Sequence, residues 1–483
     1  MKRTIVSAIV VVVAAAVVHG EEIRVGFALP GGGYRVETVA LETYVARVLA
    51  GEAARDSAPA ALDALAIAIR TFALANRGRH RADRFDLCDQ THCQVVRTAT
   101  ASTEAAAART AGVALLHGGV PASIYYTASC GGRTEMPSAV WPGADDPPYL
   151  PVQADDACGG GPLWDATIRE TDLLRALHSA GFRGDRLRRM EIASRDRSGR
   201  VARLRLEGLD PGEISGQDLR VAVGRSLGWQ HIKSAAFDLQ HNSGTYWLHG
   251  RGSGHGVGLC VVGSARLAAA GESADSILHR YFPGLDIANA SGLWIATGSE
   301  HRATPRRPTA TDVAVSLPDE DEGARLMIEQ TTMHERDRLA QRFGMSRAMP
   351  IAVRVHATTE SFERATGRPW FTSGAIVRGE LHLLPLAALR ERGVLERTIR
   401  HELVHALTDD AFAGRPLWVR EGAAVYFADP REEASPAPRH EKCPDDAEFA
   451  RPVSIGALAN AYARARACFA RQIARGKRWN DVK

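Results

Sequence analysis

The sequence predicts an α+β protein of two domains, the first a mixed α/β unit and the second mainly helical with a small sheet. Three observations lead there. The chain has 483 residues, too many for one ordinary core. Its 45% apolar and 24% charged content are globular values. A stretch rich in Pro, Thr and charge, "GSEHRATPRRPTATDVAVSLPDEDEG", separates two segments of ordinary composition. The expected organisation is a leader over 1–20, a first domain over 21–297, a linker over 298–322 and a second domain over 323–483.

The leader is "MKRTIVSAIVVVVAAAVVHG". It carries Lys2 and Arg3, an apolar run from Ile5 to Val18 and small Gly20 before two glutamates. That is the order of a secretory signal peptide, and the apolar run is shorter than the roughly 20 residues a spanning helix needs. Cleavage near Gly20 would leave an exported chain, periplasmic or cell-wall associated, with no stable membrane insertion. The formal charge is only +4 and arginines are dispersed, so no nucleic-acid partner is expected.

In the first domain "TVALETYVARVLAGE" places Leu41, Val45 and Val48 on one helical face, and a break follows at "ARDSAP". The next helix opens with Pro59 in its first turn and keeps Leu62, Leu65, Ile69 and Phe72 at three- and four-residue spacing. Glu52 therefore falls where the first helix ends, beside a loop, a position suited to a working acid. Further on, "GRGSGHGVG" surrounds His255 with glycines that let backbone approach a ligand or turn tightly. No P-loop lysine follows it, which argues against a nucleotide.

Seven cysteines stand at 88, 93, 130, 158, 260, 443 and 468. In an oxidising compartment the local pairings are Cys88 with Cys93, Cys130 with Cys158, and Cys443 with Cys468, leaving Cys260 over. Alternatively "CDQTHC" supplies Cys88, His92 and Cys93 as zinc ligands, with His80 as a fourth.

Eight ordered segments carry a resemblance: "LETYVARVLAGE", "AIRTFAL", "DQTHCQVV", "YYTASCGGRTE", "VW", "PYL", "GHGVGLC" and "ILHRYFPG". Together, over about residues 30 to 290, they resemble the stage II sporulation protein D family of peptidoglycan lytic transglycosylases. The resemblance implies cleavage of glycan strands to 1,6-anhydro products with Glu52 as the catalytic carboxyl. It implies a glycan cleft lined by His255, by Gly131 and Gly132 of the "SCGG" turn, and by Arg70 of "AIRTFAL". It also implies that a zinc at the Cys88, His92 and Cys93 cluster has precedent. The chain departs from the family's pattern at Thr127 and at Cys260, Val261 and Val262. Those departures support an alternative, a wall-binding scaffold that holds glycan without cutting it.

The second domain contains "RHELVHAL". His401 and His405 lie four apart, so on a helix both imidazoles leave one face and can grip one ion, with Glu402 beside them. "PLWVREGAAVYFA" places Glu421 16 residues beyond His405 on a second apolar helix. This resembles the gluzincin arrangement, which implies a catalytic Zn2+ held by His401, His405 and Glu421, Glu402 as proton acceptor, and a peptide or protein substrate. The same resemblance makes "GAIVRGELHLLP" a substrate-aligning edge strand and Tyr462 a candidate oxyanion donor. Asp409 and Asp410 are candidates to orient the histidines.

Overall fold

The computed structural model describes residues 21–29, 34–80, 83–90, 93–141, 144–159, 161–291, 313–345, 349–369, 372–428, 442–450 and 455–483. The expected leader over 1–20, His92 and most of the expected linker lie outside the described residues. The architecture is mixed α+β, with several small sheets. No helix among the described residues is long and apolar enough to cross a membrane.

The chain begins with a hairpin, β1 (Glu22–Ala28) against β2 (Tyr34–Ala40), and runs directly into helix α1 (Leu41–Glu52). Leu41, Val45 and Val48 are buried along α1, as the spacing predicted, and Tyr44 and Leu49 join them. Helix α2 (Pro59–Ala75) has Pro59 at its start, where the missing N–H costs nothing. It is more deeply embedded than one apolar face implies. Twelve of its residues are buried, so it forms the centre of the first core.

The segment expected as one first domain holds two large cores. One gathers residues from Ile23 to Cys158 and again from Val257 to Leu285. The other lies between, from Trp164 to Leu248, where strand Leu163–Arg169 pairs antiparallel with strand Thr245–Arg251. A third core spans Val313 to Val482 around a four-stranded sheet.

Residues 313–322, expected as linker, include regular structure. Val313–Ser316 is a strand paired parallel with Ile351–Val355, with Val313 and Val315 buried, and Asp319–Ala324 is a 3-10 turn. A short alternation of valines was hidden inside a polar stretch. Ion pairs join this turn to the earlier residues: Arg79 Nε to Glu322 at 3.2 Å and Arg225 Nη2 to Glu320 at 2.9 Å.

Cys443 and Cys468 form the expected disulfide. The pairs Cys88 with Cys93 and Cys130 with Cys158 are not formed. The structure instead brings Cys93 to His80, and Cys130 to Asp155, Cys158 and Cys260.

Candidate functional site

Glu52 is the last residue of α1, which stops because Ala53 turns to extended backbone. Segment 93–97 crosses this helix end closely. The Arg97 N–H donates to the Arg47 carbonyl at 3.0 Å, and a Cβ on Gly51 would collide with the Val95 carbonyl. That approach lets the Val95 N–H donate to Glu52 Oε1 at 3.0 Å. Burial pushes the Glu52 carboxyl above its ordinary value, opposed by the Val95 N–H and by Arg97. It is thus held nearer its acid form than a surface glutamate.

Glu52 faces a cleft of about 420 Å³. One wall is aromatic: Tyr125 stacks on Trp141 with ring centroids 4.5 Å apart, and His255 leans against Trp141 at 5.0 Å. Behind Glu52, Gln94 accepts from the Tyr44 hydroxyl at 2.9 Å and donates to Tyr126 at 3.1 Å, fixing Tyr126 at the cleft surface. The cleft is also lined by Arg79, Arg220, Trp229, and by Glu320, Glu322 and Gly323 of the 3-10 turn, Gly323 packing on Trp141. Glu322 and Glu320 are engaged by Arg79 and Arg225, so Glu52 is the cleft carboxyl with no arginine ion pair among the described residues.

The family model described as stage II sporulation protein matches residues 31–117, a span that contains α1, Glu52 and Val95. The chain carries a SpoIID-family domain. It is 26% identical to stage II sporulation protein D of Bacillus amyloliquefaciens, over 54% of this chain and 77% of that one. It is 27% identical to stage II sporulation protein D of Bacillus subtilis, over 53% and 77%. An uncharacterized protein of Brachyspira hyodysenteriae is 27% identical over 52% of this chain and 67% of its own.

Of the residues expected in the SpoIID-family cleft, Glu52 and His255 line it. His255 is held by backbone: its Nδ1 accepts from the Val257 N–H at 3.0 Å. Burial, with Arg220 and Arg200 nearby, pushes it down to about 3, so the ring is neutral. Gly131 and Gly132 take positive φ, 69° and 93°, in a turn packed on the Arg251–Gly252 backbone, and the cleft surface is supplied instead by Thr127 and Ala128 just before them.

Arg70 does not line the cleft. It is 0% exposed and bonds Glu42, the Val113 carbonyl at 3.0 Å, and the Ala107 carbonyl and Thr110 hydroxyl at 3.3 Å. With α2 buried on all sides, its one arginine must be satisfied internally. Sequence reasoning missed Tyr125 and Trp141 as cleft residues, although both sit in quoted motifs. Their place beside Glu52 depends on contacts between segments more than 70 residues apart, so no local signal marked them.

The second cluster lies on two helices, Leu395–Thr408 and Leu417–Ala428, whose packed faces bring His401, His405 and Glu421 together. Glu421 Oε2 stands 3.5 Å from His401 Nε2 and 3.3 Å from His405 Nε2, is buried, and receives no well-formed hydrogen bond. Three donor atoms converging on one point around an orphaned oxygen fit a cation better than they fit one another. Burial alone would depress His405, but the Glu421 carboxylate outweighs it and pushes the imidazole up to about 9. Burial raises the Glu402 carboxyl, against the lowering influence of both histidines.

A cavity of about 510 Å³ adjoins them, with Gly374, His401, Glu402 and Tyr462 on its surface. Strand Gly374–Val377 is the edge of the four-stranded sheet, and a Cβ on Gly374 would sit 3.0 Å from Glu402 Cγ. Tyr462 meets the His401 ring edge to face at 6.0 Å. Asp409 pairs with Arg420 at 2.5 Å. Elsewhere, His80, Cys88 and Cys93 place their ligand atoms within 4.8 Å of one another, a set suited to a soft cation.

Proposed function

We propose that the SpoIID-family domain cleaves peptidoglycan glycan strands by non-hydrolytic transglycosylation, with Glu52 as the one proton carrier. The observation that carries this reading is a largely buried carboxyl, raised toward its acid form, facing an aromatic-walled cleft whose other carboxylates are engaged by arginines. Protonated Glu52 donates to the glycosidic oxygen as the bond to C1 breaks. The resulting carboxylate then takes the proton of the sugar's own 6-hydroxyl as that oxygen bonds C1. The product is a 1,6-anhydro sugar and no water is consumed. A hydrolase would need a second carboxylate as nucleophile or water activator. The Tyr125 and Trp141 rings suit the apolar faces of sugar rings.

We also propose a zinc peptidase in the second half, with His401, His405 and Glu421 as the metal set. Bound zinc would supply Lewis acidity toward a peptide carbonyl. Glu402 would accept a proton and pass it to the leaving amine, and the Gly374–Val377 edge would hold an extended peptide by backbone pairing. On this reading the protein acts outside the cytoplasm on a polymer built of glycan and peptide, and the peptidase substrate is either that peptide or another exported polypeptide.

The test is digestion of purified peptidoglycan, intact and peptide-stripped, by wild type, Glu52→Gln and Glu402→Gln. Sugar products lost only with Glu52→Gln, and peptide products lost only with Glu402→Gln, support both assignments. Glycan binding without turnover by the wild type would make the first half a scaffold.

A further inference from the structure

Apart from both cavities, the structure gathers Cys130, Asp155, Cys158 and Cys260, each at most 1% exposed. Their ligand atoms all lie within 4.8 Å of one another. Cys130 Sγ is 3.1 Å from Asp155 Oδ2, and Cys158 N–H donates to Asp155 Oδ1 at 3.2 Å. Cys260 Sγ accepts from the N–H groups of Cys130 and Gly263, both at 3.3 Å, the second at the start of helix Val261–Ala269. Backbone N–H groups aimed at sulfur favour thiolate over thiol.

Asp155 poses the electrostatic problem. Its hydrogen bonds come from Cys130, from the Cys158 N–H and from the Tyr281 hydroxyl at 2.9 Å, none of them a cation. A carboxylate this deeply buried costs several kcal/mol unless a positive charge compensates it. Arg266 and Arg200 approach the cluster but donate to the carbonyls of Cys158 and Cys130, both at 2.6 Å, and Arg200 pairs with Glu135, so neither is hydrogen-bonded to Asp155 among the described residues. The packing leaves no slack on the remaining side, since a Cβ on Gly263 would lie 2.6 Å from Asp155 Oδ2.

We propose that these four residues hold a zinc-class divalent cation in a closed Cys3Asp site. Three soft sulfurs and one oxygen are a complete tetrahedral set, and a tetrahedron with Zn–S of about 2.3 Å and Zn–O of about 2.0 Å has edges of about 3.5 to 3.8 Å. From separations between 3.1 Å, for Cys130 and Asp155, and at most 4.8 Å, no edge would change by more than about 1.3 Å to reach it. With four protein ligands there is no open position, so the role is structural. The ion would staple three separate segments: the turn at Cys130, the loop at 155–158, and the junction of Leu259–Cys260 with its helix. Cys260 pairs with Thr127 across the Tyr126–Thr127 strand, so the staple sets the position of the cleft wall without touching substrate. It is independent of the chemistry assigned to Glu52.

Full-length protein, expressed with export and purified without chelator, is denatured in alkylating reagent with chelator and mapped by mass spectrometry. The proposal expects Cys130, Cys158 and Cys260 all alkylated, and a disulfide between any two of them overturns it. Metal analysis is made in a Cys93→Ser/His401→Ala background that disables the other two clusters. One equivalent of zinc is expected there, and folded protein without metal overturns the site. After cobalt substitution, Cys260→Ser is expected to remove about one third of the sulfur-to-cobalt charge-transfer absorption, one thiolate in three. An unchanged spectrum in folded protein refutes the ligand set.

Discussion

Replacing Glu52 by Gln separates chemistry from folding. The Gln side-chain oxygen can accept the Val95 N–H as the carboxylate does at 3.0 Å, so no backbone donor is orphaned. What disappears is the transferable proton and the burial penalty on the charge. Loss of general acid catalysis predicts a fall in glycan cleavage of about 10²- to 10⁴-fold, or about 2.7 to 5.4 kcal/mol in the barrier. The stability effect has the opposite sign. Burial raises the folded-state pKa of Glu52, so the proton favours the folded state. The cost of ionising it is absent below the unfolded pKa and fully present above the folded one. Glu52→Gln should therefore melt at or above wild type at neutral pH, with the gap closing as pH falls through the folded pKa. Product release measured beside calorimetric melting from pH 4 to 8 checks both. Retained cleavage, or inactivity accompanied by a Tm loss of several degrees, would refute the reasoning.

Arg70→Met should destabilise by about 3 kcal/mol, toward the low end for a broken buried pair because Glu42 reaches solvent, and leave KM for glycan unchanged. Denaturant melts and steady-state kinetics check it, and a raised KM with normal stability would restore Arg70 to the cleft. Gly323→Ala drives a methyl group into the Trp141 ring and should cost about 1 to 3 kcal/mol while altering glycan cleavage and sparing peptide cleavage. Calorimetry and both activity assays on one preparation test that. Glu402→Gln should keep its metal and lose at least about 10²-fold in peptide cleavage, whereas His405→Ala should lose one metal equivalent, read by elemental analysis.

The parts of the fold legible in the sequence are those set by local periodicity. The stripe of α1, Pro59 at the head of α2 and the pair His401 and His405 all follow from helical spacing, and Glu52 is found because a helix stops there. Partners distant along the chain are another matter. Arg70 reads as a polar residue on a helix until Glu42 and the Val113 carbonyl close around it. The acidic turn reads as linker because its meaning lies in Arg79 and Arg225, and Cys260 reads as unpaired because Cys130 is 130 residues away. The inserted core from Trp164 to Leu248 rests on strand pairing between its two ends, which no local pattern encodes.

The central claim, one carboxyl and no water, is tested most directly by digesting peptide-stripped glycan strands in ¹⁸O-enriched water and weighing the new sugar ends. Anhydro ends without ¹⁸O, absent with Glu52→Gln, are the predicted result. Reducing ends carrying ¹⁸O would contradict it and require a second working carboxyl in the cleft.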